Sequence, residues 1–309
     1  MRLAVPDLVS SSYFPALAAA QLPGSRDGSA PFSVEHLFPI RSAVEALRDG
    51  DVELVAGPAH AALFAFPGWR GATVLMALSQ HTYWLLVVRQ DLAAERGSVS
   101  ALHDMTIAAA PGPAHALRQL LLDAGTDLDG SHITIAPLPE SHASGGSFGV
   151  RAARALSDGV IDAFWANSMA AETAVRQGVG RVHLDPRRGD GPAQASHYTF
   201  PALLTTEDLV ANRLDELRDV VRSVIRAQSQ LKDDPRRARP VADELFPPFE
   251  AGLIEELVRR DSPHYSPEVD EDTVRGLNDF TIAIGLASGP AAYDDVVAGQ
   301  VRDLWSAVP

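Results

Sequence analysis

The chain has 309 residues, no cysteine, and 26 basic against 40 acidic side chains, for a formal net charge of -14. That length exceeds the usual size of one hydrophobic core and predicts two compact units, while the acidic balance opposes nucleic acid and anionic lipid, which need a basic face. Without cysteine there is no disulfide, no thiolate nucleophile and no cysteine metal site, and the sole lysine, Lys232, sits at the polar end of a predicted helix, away from any pocket that would use a Schiff base.

Short apolar runs alternate with helical stretches through the first two thirds of the chain, the pattern of a parallel sheet flanked by helices. Residues 2–6, 33–38, 52–56 and 73–78 read as strands, with helices over 13–22, 42–47 and 59–66, the second of them stopped by Gly50. The stretch 23–31, rich in Gly, Ser and Asp, reads as an exposed loop. After the apolar run 83–88 a second series begins, with strands near 105–110, 132–136, 161–166 and 181–185 and helices over 115–124 and 148–156. The two series share an echo. Glu45-Ala46-Leu47-Arg48-Asp49-Gly50-Asp51-Val52-Glu53 parallels Arg154-Ala155-Leu156-Ser157-Asp158-Gly159-Val160-Ile161-Asp162, each a helix end, a glycine turn and a strand, as if both lobes followed one plan. From Asp208 onward strands stop, and helices near 209–225, 250–259, 267–284 and 293–305 are expected to cover the first lobe.

No window approaches the ~20 apolar residues of a membrane span, so no membrane insertion is expected. A strand-like run begins at Arg2, which leaves two readings: a leader was removed and the protein works in the periplasm or outside the cell, or Met1 is the native start and it is cytoplasmic.

The order of Leu3-Ala4-Val5-Pro6 leading to Tyr13-Phe14-Pro15-Ala16, then Ala43-Val44-Glu45-Ala46-Leu47, Asp51-Val52-Glu53-Leu54-Val55-Ala56-Gly57 and Ala155-Leu156 to Ile161-Asp162-Ala163-Phe164 resembles the substrate-binding proteins of nitrate, sulfonate and taurine type ABC importers and the related pyrimidine-precursor family. The resemblance implies a type II periplasmic-binding-protein α/β fold: two lobes, each a mainly parallel sheet flanked by helices, and a helical C-terminal region. It places residues 1–86 and 201–309 in a discontinuous first lobe, 87–200 in an inserted second lobe, and hinge crossings near 83–89 and 197–204. It further implies a monomer with a small-molecule ligand in the cleft between the lobes, no cofactor, and an importer permease as partner.

In such sheets ligands lie beyond the carboxyl ends of the strands, where helix N-termini point free N–H groups. That selects Ser11, Ser12 and Tyr13 after the first strand, Pro39, Arg41 and Ser42 after the second, and Gly57 with His60 after the third; in the second series it selects Gly112 and Asn167. Ser12, Ser42 and Ser168 are each open to a second reading as plain helix caps. His81, His197, Trp165 and Tyr198 complete the candidate set, the aromatics either as a ligand wall or as core. A three-histidine metal site has no supporting acidic or His-x-x-x-His spacing. Gly145-Gly146-Ser147-Phe148-Gly149 matches a nucleophile elbow formally, but a polar loop precedes it in place of a strand, which favours Ser147 as a helix cap or a ligand contact. Pro111-Gly112-Pro113 lacks the ending of a phosphate loop. Two functions follow: a receptor for a small organic anion or heterocycle (sulfonate, carboxylate or pyrimidine-like), which is not an enzyme, or a cytoplasmic decarboxylase, dehydratase or precursor synthase using His60, His81 or His197 for acid–base work.

Overall fold

The computed structural model describes residues 1–6, 10–21, 31–144 and 147–306, so most of the expected 23–31 loop and both Gly145 and Gly146 lie outside the described residues. Along the chain the elements are β1 (Arg2–Val5), α1 (Phe14–Ala19), β2 (Ser33–His36), α2 (Ile40–Asp49), β3 (Leu54–Pro58), β4 (Ala72–Ala77) and β5 (Leu85–Arg89). Then come β6 (Thr106–Ala109), α3 (Pro111–Asp123), β7 (Thr134–Ala136), α4 (Phe148–Ser157), β8 (Ala163–Ala166), α5 (Ser168–Arg176), β9 (Gly180–Leu184) and β10 (Pro201–Thr206). The remainder is helical: α6 (Glu207–Asn212), α7 (Leu214–Asp233), α8 (Ala238–Leu245), α9 (Pro248–Asp261), α10 (Glu271–Ala283) and α11 (Tyr293–Val296).

The chain divides into two compact units, Met1–His81 with Thr199–Pro309, and Thr82–Tyr198. Tyr83 to Leu86, read from the sequence as the end of the first lobe, fall in the second unit, because Leu85 and Leu86 pair with Ala166 and Trp165 of β8.

The first unit is built on a five-stranded sheet in the order β2-β1-β3-β10-β4, the second on β7-β6-β8-β5-β9. The two orders are circular permutations of one arrangement, matching once β5 is counted after β9, and in each sheet one strand runs against the other four: β10 lies antiparallel between β3 and β4, and β5 antiparallel between β8 and β9. The other pairings, β1 with β2 and β3, and β6 with β7 and β8, are parallel. The sheets are therefore mixed, and the common direction of four strands in each gathers their carboxyl ends along one edge.

Local chemistry accounts for most boundaries. Gly50 ends α2 in the left-handed region at φ 78°, where a side chain would clash with its own backbone. Asp270 begins α10 by accepting the Thr273 N–H at 2.7 Å, so residues 267–270, expected to be helical, stay outside the helix. The expected helix over 59–66 is a 3₁₀ turn, Ala59–Phe64, confined between Pro58 and Pro67. Likewise the expected 293–305 helix is the single turn of α11 followed by a 3₁₀ turn, Gly299–Leu304.

Alternation across the strands decides which side chains enter which layer. In the second unit Phe164, Ala166, Leu85 and Val87 pack on one sheet face against the alanines of α4 and α5. Trp165 and its cross-strand partner Leu86 occupy the other face. The alanine-rich helix pair packs so closely that a Cβ on Gly149 would lie 2.6 Å from the Ala170 Cα. This close approach explains the last glycine of the formal elbow motif without catalysis.

Candidate functional site

In the first unit the edge formed by the carboxyl ends of β1 to β4 carries the most buried polar chemistry. Past β1, Ser10, Ser11 and Ser12 are each no more than 1% exposed. Their backbone forms the turn that leads into α1: Tyr13 N–H donates to the Ser10 carbonyl and Phe14 N–H to that of Ser11, both at 3.2 Å. Ser11 Oγ donates to Asp261 Oδ2 at 2.5 Å, and the Tyr265 hydroxyl donates to the Ser11 carbonyl at 2.8 Å. The hydroxyls of Ser10 and Ser12, by contrast, are buried with no hydrogen-bond partner among the described residues. Orphaned polar groups of this kind are uncommon, since leaving one unsatisfied costs about 1–3 kcal/mol.

Ser12 does not cap α1, whose N-cap position belongs to Tyr13. Nor does Ser42 cap α2: Pro39 holds that position, and Pro39, Arg41 and Ser42 are all exposed. The helix starts two residues earlier than its sequence suggests because the φ imposed by Pro39 leads the chain into it. The Arg41 guanidinium lies 4.7 Å over the Phe64 ring and reaches the Phe64 carbonyl at 3.5 Å. Gly57 sits inside β3, where an added Cβ would meet Ile40 Cδ1 at 2.6 Å, so its place is set by packing under α2.

His60 is sealed, 2% exposed, with Nδ1 at 3.0 Å from Thr199 Oγ1 and its ring edge-on to Phe64 and Phe280. That packing suits an anchor of β10's entry better than an acid–base group. His81, the last residue of the first unit's opening segment, adopts φ 67°, strained for a non-glycine residue, with its ring 6.1 Å from that of His264.

In the second unit the equivalent edge carries Gly112, Asn167 and Trp165. Gly112 is in the first turn of α3 with open space around its Cα. Asn167, not Ser168, is the N-cap of α5: its Oδ1 accepts the Ala170 N–H at 3.0 Å. Ser147 caps α4 through the Val150 N–H, as its sequence context suggested. Trp165 is 1% exposed, so its indole is core rather than a half-wet wall, yet its Nε1 has no partner among the described residues. Tyr198 also departs from the wall reading, because its hydroxyl donates to Asp123, at the far end of α3 from Gly112. Burial and the Asp123 carboxylate push this phenol well above the ordinary tyrosine range. His197 ends a 3₁₀ turn, Ala193–His197, and is half-buried.

Sequence reasoning missed Asp261 and Tyr265, which reach Ser11 from some 250 positions away. Their one available signal was a buried-type polar pattern at the end of an amphipathic helix, Asp261-Ser262-Pro263-His264-Tyr265. Among the described residues no group of three His, Asp or Glu side chains could hold a metal ion, and no helix is long and apolar enough to cross a membrane.

The sequence matches no protein-family model and no curated protein. Solved structures match over nearly the whole chain. The periplasmic aliphatic sulphonate binding protein SsuA from Escherichia coli superposes with TM-score 0.71 at 16% identity, covering 96% of this chain and 91% of that one. The ligand binding component of an ABC-type import system from Staphylococcus aureus, with zinc bound, gives TM-score 0.70 at 12% identity over 99% and 98%. The desulfurization enzyme DSZB gives TM-score 0.66 at 15% identity over 98% of both chains. The fold is therefore the two-lobed α/β fold of periplasmic binding proteins, shared by receptors and at least one enzyme.

Proposed function

We propose that this chain is a solute-binding protein of an ABC-type importer, taking a small organic anion or heterocycle of sulfonate, carboxylate or pyrimidine-like kind and delivering it to a membrane permease from outside the cytoplasmic membrane. The observation that carries the reading is the pair of buried hydroxyls of Ser10 and Ser12 at the carboxyl edge of the first sheet, neither with a hydrogen-bond partner among the described residues. Two O–H donors kept dry and unsatisfied are suited to a ligand's acceptor oxygens, since the ligand then recovers a desolvation cost that the free protein carries. Arg41, exposed and stacked on Phe64, supplies a cation on the same unit, with guanidinium N–H groups to spare beyond the one that meets the Phe64 carbonyl. In the second unit the indole N–H of Trp165, without a partner among the described residues, is a donor of the same character.

The fold alone does not choose between receptor and enzyme. Against acid–base catalysis by His60 stand its burial and its contacts with Thr199, Phe64 and Phe280. Calorimetric titration with ethanesulfonate, taurine, nitrate, benzoate and a pyrimidine tests the proposal. Saturable binding of at least one, weakened by Ser12→Ala and by Arg41→Ala, is expected; binding of none, or binding indifferent to both substitutions, would refute it.

A further inference from the structure

We infer that Asp261 and Tyr265 are positioning residues for the Ser10–Ser12 turn: they grip Ser11 by its side chain and its carbonyl, and so aim the hydroxyls of Ser10 and Ser12. The functional half of this inference rests on the receptor reading above; the structural half rests on the hydrogen bonds alone.

Three adjacent serines are chemically equivalent, so something must decide which hydroxyl is spent inside the protein. Asp261, the last residue of α9 and 1% exposed, accepts the hydrogen bond of the Ser11 hydroxyl through Oδ2, while its Oδ1 accepts from Arg260 Nε at 3.3 Å. The carboxylate is thus held on both sides and its acceptor direction is defined. Tyr265, fully buried, donates to a Ser11 carbonyl that already accepts the Phe14 N–H at the start of α1, so the peptide is fixed on its other side as well. With Ser11 committed twice, rotation of the turn that would offer its neighbours to Asp261 is blocked. Ser10 and Ser12 remain the hydroxyls without a partner among the described residues.

Stability does not require such an arrangement. A buried polar pair replaced on both sides by apolar groups of like shape is close to neutral in stability, and a buried carboxylate is costly to desolvate. What the pair supplies is orientation, the contribution that raises affinity by lowering the ordering cost on binding.

Hydrogen exchange of the full-length protein at the backbone amides of residues 11–14, with and without ethanesulfonate as probe, tests this in Asp261→Ala, Asp261→Asn and Tyr265→Phe. Exchange at 11–14 is expected to rise about tenfold in Asp261→Ala and in Tyr265→Phe while α7 keeps its protection, and Asp261→Asn, which retains an acceptor oxygen, restores most of it. Ethanesulfonate affinity should fall in step with the loosening. Unchanged exchange at 11–14 would overturn the inference, and so would a rise spread evenly over the first unit, the mark of general loss of packing. Affinity equal to the parent's despite local loosening would overturn the functional half. If the parent itself does not bind ethanesulfonate, that ligand class fails, and the exchange pattern still decides the positioning role.

Discussion

Tyr198 donates its phenolic proton to Asp123, joining the last residue of the second unit to the last residue of α3. The contact closes the unit on itself at the point where the chain leaves it. Tyr198→Phe should therefore lower the stability of the protein by about 1–2 kcal/mol, as expected for a half-buried hydrogen bond to a charged acceptor. In an alkaline absorbance titration the parent should show this phenol ionising well after the ordinary tyrosines, because both burial and the neighbouring carboxylate disfavour phenolate, and the late phase should shrink in the variant.

His183 makes the second unit sensitive to acid. On the edge strand β9 its ring is wholly buried, with Nε2 at 2.9 Å from the Ser98 carbonyl, and its own carbonyl accepts the Gly97 N–H at 2.9 Å. Nδ1 is without a partner among the described residues, and Arg181 and Arg96 oppose a positive charge there more than Asp190 favours it. Burial, the main cause, holds the folded-state pKa below the ordinary value of 6.5. Below that value the unfolded chain binds a proton that the folded one refuses, so stability is full above it and is lost as pH falls. The urea midpoint should drop between pH 7.5 and 5.5, and His183→Gln, which keeps a donor for Ser98, should show a smaller drop. An equal drop in both would dismiss the assignment.

Gly149 tests the close helix pairing. Its missing Cβ would fall 2.6 Å from backbone of Ala170, so Gly149→Ala must push α4 from α5 and should cost about 1–3 kcal/mol despite the better helix propensity of alanine. Gly57→Ala meets only the flexible end of Ile40 and should cost less, with Ile40→Val relieving it. Thermal melts of the three proteins give the ranking.

Ser12→Ala should separate stability from binding. Removing a buried hydroxyl without a partner is expected to leave the free protein as stable as the parent or up to about 1 kcal/mol more so. The same change should weaken whichever probe binds, a trade-off common at functional sites. A clear fall in melting temperature of the free protein would mean that Ser12 Oγ is satisfied internally.

Much of the fold was legible because apolar runs and glycine stops are local signals. The echo between residues 45–53 and 154–162 corresponds to two sheets of one arrangement, circularly permuted in strand order, and Gly50 ends its helix as its position implied. Strand direction was not legible. An apolar run such as Leu85 to Val88 looks the same whichever way its neighbours point, so the reversal of β5 and β10 could come only from the pairing itself. Helix starts slipped by one or two residues where two capable residues lie close together, as Asn167 beside Ser168 and Pro39 three residues before Ser42. At the site, Ser11 and Ser12 could be singled out from their place after a strand, whereas Asp261 and Tyr265 could not, because side-chain pairing across 250 residues leaves no periodicity to read.

The reversed strand β10 has a consequence for the order in which the molecule can be made. During synthesis the residues of the second unit form one uninterrupted stretch, Thr82–Tyr198, and all five of its strands emerge from the ribosome before β10 does. The first unit, although it starts the chain, lacks the strand that pairs with both β3 and β4 until Pro201–Thr206 emerges. Until then β3 and β4 each present an unpaired inner edge, a template for wrong association. The most aggregation-exposed interval of the nascent chain therefore lies in the time taken to translate the second unit.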